Sequence, residues 1–198
     1  MSKESKDLVP FFFPETLETE RLIFRRHSEG LAPEMFHEIE KNRERLLEYI
    51  PWATRTRTLK DLKAWILGTI DSWKEKTLFD YSLFLKSDDT YIGHLGLHSI
   101  AWLHARAELG YWISSSFEGN GYIHEAIGGL EKIAFDHGFH RLEIRCDPRN
   151  TRSAKVAEKA GYRREAQLRE DIVINGIRRD SLIFGKLQAE FVQASRRR

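Results

Sequence analysis

Only one cysteine, Cys146, occurs in 198 residues. A lone cysteine permits no disulfide within the chain, which excludes a stapled secreted scaffold and fits a reducing compartment. No run of about 18 consecutive apolar residues occurs, so no membrane-spanning helix is expected. The opening MSKESKDLVPFFFPE is polar apart from a short patch at 9–13 and lacks the apolar core and cleavage site of a secretory leader. Neither charge dominates: Lys and Arg number 32, Asp and Glu 30. That balance excludes a global basic field for nucleic acid, and Arg196–Arg198 reads as a solvated tail. No Cys/His cluster has metal-ligand spacing; His94 and His98 share a strand face but lie about 13 Å apart at ~3.3 Å per residue. Neither the Gly-Lys-Ser/Thr end of a P-loop nor the three-glycine dinucleotide fingerprint is found. With no repeat and no linker, a single cytoplasmic domain is expected, with no membrane and no nucleic-acid partner.

One stretch changes period twice. In LGYWISSSFEGNGYIHEAIGG, 109–129, Leu109, Tyr111 and Ile113 alternate with Gly110, Trp112 and Ser114, the period of a strand. A Ser/Gly/Asn cluster at 114–121 breaks it. Ile123, Ala126, Ile127, Leu130, Ile133 and Ala134 then recur at steps of three and four, the stripe of an amphipathic helix. A strand that feeds a helix through a glycine turn leaves backbone N–H groups pointing one way, with the positive helix end behind them. That pattern predicts an anion site, most often for phosphate.

The other elements build a sheet around this stretch. Phe11, Phe12 and Phe13, between two prolines, predict an extended segment packed on the body or on a partner. A strand is expected over 17–26 and a helix over 29–49, stopped before Pro51. Thr58, with Asp61 three residues on, opens a helix to 76. Strands at 79–86, 91–101 and 106–113 have short links and so run antiparallel. The strand at 141–146 returns after a helix, so it lies parallel to 106–113. A helix over 151–160 closes at Gly161, and 162–174 pairs with 177–187 across Asn175-Gly176. This order predicts an α/β (α+β) fold, a mixed sheet of about seven strands with helices on both faces. Its ligand crevice lies where the parallel pair ends, with Asn150, Thr151 and Ser153 at the same mouth.

Two segments carry a family resemblance. ELGYWISSSFEGNGYIHEA, 108–126, and NTRSAKVAEKAGY, 150–162, resemble the acetyl-coenzyme-A core of the GNAT N-acetyltransferases. LETERLIFRR at 17–26, NRERLLEYIPW at 42–52 and the hairpin at 171–180 are similar to the RimJ/RimL branch, which acetylates ribosomal-protein N-termini. The resemblance covers 17–188, leaving 1–16 as an N-terminal extension and 189–198 as a basic tail. It implies acetyl-CoA as cofactor. The coenzyme's diphosphate would sit on Gly119, Asn120, Gly121, Tyr122, Ile123 and His124, and its pantetheine arm would pair like an added strand with the splayed end of the strand, Tyr111, Trp112 and Ile113. Glu118 stands where the family has Gln or Arg, and Ile123 where it has Gly or Ala; both must point away from the phosphates.

The implied reaction is attack of a neutral amine on the thioester. An α-amine, with a pKa near ~7.7–8.0, needs far less help than a lysine near ~10.4. A backbone N–H near Tyr111 or Trp112 would stabilise the oxyanion. Ser153 matches the family's acid, or is a helix N-terminal residue bonding backbone; Asn150 is a cofactor contact or a cap. The branch's acceptor-side carboxylate falls on Ile172, so Glu108, Glu170 and Asp171 remain as candidate bases or as plain strand charges. Arg43, Tyr49 and Trp52 lie in the region that covers the acceptor. Cys146 reads as a buried small residue. The expected reaction is acetylation of a protein N-terminal amine. A small-molecule amine acceptor and a non-catalytic acetyl-CoA sensor are the alternatives. A homodimer is expected from the phenylalanine segment and the family's habit of pairing.

Overall fold

The computed structural model describes residues 13–195 of the chain. Where the pattern read one strand over 17–26, two antiparallel strands form, β1 (Thr16–Glu18) and β2 (Leu22–Arg26). The turn between them is bound elsewhere: Thr19 Oγ1 and the Arg21 N–H both donate to the Glu125 carboxylate.

The helix expected over 29–49 is also interrupted. A 3-10 turn (Glu29–Leu31) leads into α1 (Ala32–Lys41), and α2 (Arg43–Tyr49) starts anew after Asn42. Buried Asn42 accepts the Ser115 N–H at 2.8 Å and donates to the Glu38 carbonyl and to Ser114 Oγ. A side chain that takes backbone partners in this way favours a helix break. α3 (Leu59–Lys74) carries the expected reciprocal cap, Thr58 Oγ1 accepting the Asp61 N–H and Asp61 accepting the Thr58 N–H.

The later elements are β3 (Phe79–Leu85), β4 (Tyr91–Ala101), β5 (Arg106–Ile113), α4 (Tyr122–Asp136), β6 (Arg141–Cys146), α5 (Thr151–Lys159), β7 (Arg163–Ile174) and β8 (Ile177–Leu187). The sheet order is β1-β2-β3-β4-β5-β6-β8-β7, eight strands because β1 stands apart from β2. Among the described strands only β5 and β6 are parallel, and their pairing runs from Arg106↔Arg141 to Leu109↔Ile144 and stops. Asn175 and Gly176 turn the final hairpin in left-handed conformations, as the Asn-Gly pair requires.

One core lies between the sheet and α4, built on Leu95, Leu97, Leu109, Ile127, Leu130 and Leu142. The other lies under α1–α3, on Met35, Ile39, Leu62, Ile66 and Trp112. Phe13 is buried and stacks on Phe79 at 4.1 Å, a burial worth about 1.5–3 kcal/mol. Phe11, Phe12 and the triple arginine lie outside the described residues. Past β8 the described chain continues as one more helix. Residues Gln188–Ser195 form α6, with the Phe191 ring 5.1 Å from Phe135 and Glu190 paired with Arg163. Among the described residues no helix is long and apolar enough to cross a membrane.

Candidate active site

A cleft of about 1010 Å³ opens where β5 and β6 part. Its walls are the end of β5, the glycine turn, the start of α4, the 145–153 loop, α5 and α2. The hydrogen-bond register decides which groups of β5 face it. Ser114 N–H donates to the Ile92 carbonyl on β4. In an antiparallel pair the bonding side alternates by residue, so Trp112 also faces β4, whereas Tyr111 and Ile113 present N–H and C=O toward the gap beside β6. Tyr111 therefore replaces Trp112 as the backbone donor available in the cleft. Gly93 permits the close β4–β5 approach behind this point: a Cβ there would stand 2.2 Å from the Trp112 carbonyl oxygen.

The turn itself is held open in a fixed shape. Gly119 and Gly121 both have φ near 79°, a region open to glycine. Gly121 caps α4, and the N–H groups of Tyr122 and Ile123 follow it with no carbonyl one turn back to take them. Arg21 clamps the turn from outside, its Nη1 donating to the Asn120 carbonyl at 3.0 Å and its Nε to Glu125 at 2.6 Å. Gly119, Gly121, Tyr122, Ile123 and His124 line the cleft; Asn120 does not, because its amide folds back onto the Phe117 and Glu118 carbonyls. Ile123 is buried, so its bulk goes into the core and away from the turn.

Across the cleft stand the hydroxyls. Ser153 Oγ is 3.0 Å from Tyr111 Oη, which also reaches the Ser153 carbonyl at 3.2 Å. Burial holds the Tyr111 phenol well above its ordinary pKa, so it keeps its proton. Asn150 is a cap: its Oδ1 accepts the Ser153 N–H at 3.1 Å, while the residue also lines the cleft. Cys146 lines the cleft too, and burial pushes its thiol up to about 11, so it is no thiolate nucleophile near neutrality.

The candidate acids separate. Glu108 sits on the sheet face that carries α1–α3, in a strip with His98 at 3.9 Å and Arg145 at 3.3 Å. Burial raises its pKa, against the pull of His98 and Arg145 and with the help of Glu143 and Asp171. It lines a small side cavity with Ser99 and Arg145, and Arg145 is in the wall of both cavities. His98, too far along the strand from His94 to share a metal, leans across Gly110, with its Nε2 2.8 Å from where a Cβ there would stand. Glu170 and Asp171 lie outside the cleft, exposed in a β7 bulge where Glu170 has φ 50° and donates its N–H to Asp180.

In the segment that the resemblance places over the acceptor, the break at Asn42 resets the helix phase. Arg43 turns to Glu40 and the Ala53 carbonyl and does not line the cleft; Arg45, Leu46 and Tyr49 do. Tyr49 lies under the Arg149 guanidinium at 5.8 Å, and Asp147 holds that arginine. Trp52 stays behind the cleft wall, in a cluster with Trp65 at 5.8 Å and His94 at 5.7 Å. Arg45, Arg149 and Arg152 in the wall had no sequence signal beyond their charge.

A second polar cluster lies below that aromatic layer. Ligand atoms of buried His27, Asp80 and His94 come within 4.8 Å of one another. Trp112 Nε1–H donates to His94 Nδ1 at 3.1 Å, so in the neutral ring the proton sits on Nε2. Burial pushes His94 down to about 4, which keeps it neutral. Burial opposes charge on Asp80, yet His94 and the His27 contact hold it at about 2. A metal would need the His94 Nε2 lone pair that this tautomer lacks, so the cluster is a buried carboxylate beside two imidazoles, with His27 Nε2 3.5 Å from Asp80.

Residues 21–163 match the family model described as the acetyltransferase (GNAT) domain. YdaF of Bacillus subtilis (strain 168), named provisionally as a ribosomal N-acetyltransferase, is 28% identical over 176 residues, 87% of this chain and 92% of its own. The ribosomal-protein-serine acetyltransferase of Escherichia coli (strain K12) is 24% identical over 170 residues, 85% of this chain and 94% of its own. Among solved structures, RimL, a ribosomal L7/L12 α-N-protein acetyltransferase in complex with coenzyme A, superposes with a TM-score of 0.83 at 21% identity, covering 87% of this chain and 98% of that one. At that identity the likeness is one of fold.

Proposed function

This chain belongs to the GNAT N-acetyltransferases, and from that premise we propose that it moves the acetyl group of acetyl-CoA to a protein N-terminal α-amine, a ribosomal protein being the expected acceptor. The observation that carries the reading is the unpaired end of β5 opening beside the glycine turn in one cleft. Its parts suit coenzyme A. The turn and the head of α4 offer N–H groups to a diphosphate. Tyr111 and Ile113 offer a strand edge to an amide-bearing arm, as in β-augmentation. Bound there, the coenzyme supplies a thioester.

The chain's own groups then divide the work. The Tyr111 N–H, aimed into the gap, is the oxyanion donor. Ser153 Oγ holds a proton at the inner end of the cleft, and Tyr111 Oη, still protonated, stands behind it to resupply that proton. Glu108, with its raised pKa, is the group best suited to take a proton from an amine, through water across the Arg145 wall. An α-amine fits this modest base because it is already partly neutral near pH 7. Incubation with acetyl-CoA and purified ribosomal proteins, read by intact mass, tests the proposal. The expected result is a gain of one acetyl at an N-terminus. Thiol release with small amines and no change on any ribosomal protein would overturn the acceptor assignment.

A further inference from the structure

Resting on that reading of the glycine turn, we propose that Glu118 is a positioning residue that holds two arginines, Arg45 and Arg152, as the cationic partners of the coenzyme's diphosphate. A carboxylate beside a diphosphate site is repulsive on its own. Here it is not on its own. Its Oε1 accepts from Arg45 Nη1, and its Oε2 accepts from Arg152 Nη1 at 3.0 Å. Both arginines line the cleft with Gly119 and Gly121. They arrive from different elements, Arg45 from α2 and Arg152 from the first turn of α5, and Glu118 is the group they share.

Arg45 is further fixed by Nη2, which donates to the Ile113 carbonyl at 2.6 Å, one of the two β5 residues that face the gap. Among the described residues Arg152 has no such second anchor, and its side chain is 73% exposed. Without Glu118 it would be a free surface arginine that must lose rotamer entropy to meet a phosphate. The triad carries a net charge of +1 at the turn, delivered by guanidiniums already ordered, and guanidinium is the group that best matches phosphate geometry. The sequence departure at Glu118 thus moves the cationic role from the turn to two neighbouring elements.

The sign of the effect separates this role from bystander repulsion. If Glu118 only repels, Glu118→Ala tightens coenzyme binding. If it positions the arginines, the same change weakens binding. We expect Glu118→Ala to raise the Kd for coenzyme A by about tenfold, the scale of one charge-assisted hydrogen-bond set. The KM for acetyl-CoA rises in step while kcat stays within about twofold. S-acetylpantetheine, which lacks the diphosphate, should show no change in KM. Glu118→Asp should recover part of the loss, and the exposed Arg152→Ala should reproduce part of it without altering the melting temperature. Arg152→Ala added to Glu118→Ala should cost little more. Wild type that binds coenzyme A, with Glu118→Ala binding it equally or more tightly, overturns the positioning role alone. Equal losses for acetyl-CoA and S-acetylpantetheine overturn it as well. Wild type with no affinity for coenzyme A overturns both this role and the cofactor reading beneath it.

Discussion

The two halves of the cleft are built differently. Under the proposed function the coenzyme half is mainly backbone, an open strand end, two left-handed glycines and the head of a helix within 111–124, with the Arg45 and Arg152 guanidiniums added from α2 and α5. The acceptor half is side chains from distant segments: Tyr49 of α2 under Arg149, Arg149 held by Asp147, and the hairpin tip bonded to α2 through Asn175. Backbone donors survive almost any side-chain change, so one half can stay constant while the other is rebuilt for a new acceptor. The prediction of this contrast is that changes in the first half act on the coenzyme and changes in the second on the amine.

Gly121→Val should break the coenzyme half outright. A Cβ at Gly121 meets only Arg21 Nη2, at 3.6 Å, which is ordinary contact. The penalty is therefore conformational: a β-branched residue at φ 79° must leave that region and take the turn's N–H groups with it. The Kd for coenzyme A, by calorimetry, should rise on the order of 100-fold. Gly121→Asn, which tolerates the left-handed region, should lose much less; equal losses would show that space matters and φ does not. Next in size, Ser153→Ala should lower kcat on the order of 10-fold with coenzyme affinity little changed, since it removes a proton donor and leaves the backbone in place. Lost affinity with normal kcat would make Ser153 a binding residue.

The same contrast explains what the sequence revealed. The strand, turn and helix at 109–136, the parallel return at β6, the Thr58 cap and the Asn-Gly hairpin are local patterns, and each forms as read. The strand split at residue 19 and the helix break at Asn42 depend on bonds to Glu125, Ser114 and Ser115, more than 70 residues away, which no window can contain. The resemblance points to the region of Arg43, Tyr49 and Trp52 without fixing side-chain directions; past the Asn42 break Arg45 and Tyr49 take the wall while Arg43 turns to the Ala53 carbonyl. Likewise, His94 and His98 lie too far apart along β4, while the fold sets His94 beside Asp80 of the adjacent β3 and His27 just past β2.

Glu108 lies outside the cleft, in the side cavity behind Arg145, and offers a pH test. Its pKa is raised, chiefly by burial, so protonation sets in above the usual carboxylate range. A base must be deprotonated, so kcat, read with both substrates saturating, should fall as pH drops through that raised value. Glu108→Gln should lower kcat about 5–10-fold at neutral pH and flatten this acid limb, leaving the coenzyme Kd unchanged. An acid limb that persists in the variant would assign the proton to another group.

The smallest effect should come from the hairpin tip, and it is the cleanest probe of the acceptor half. Asn175 Nδ2 donates to the Leu47 carbonyl at 2.9 Å, joining β7–β8 to the helix that carries Tyr49. Asn175 also sits at φ 51°, so Asn175→Ala would mix lost bonding with backbone strain. Asn175→Gly keeps the left-handed turn and removes only the amide. One neutral hydrogen bond contributes about 0.5–1.5 kcal/mol net, so the acceptor KM should rise about 2–10-fold as α2 loosens. Arg45 stands on the same helix and reaches the Ile113 carbonyl, so the coenzyme Kd should move too, but by less than the acceptor KM. Equal changes in both would make the two halves one coupled site.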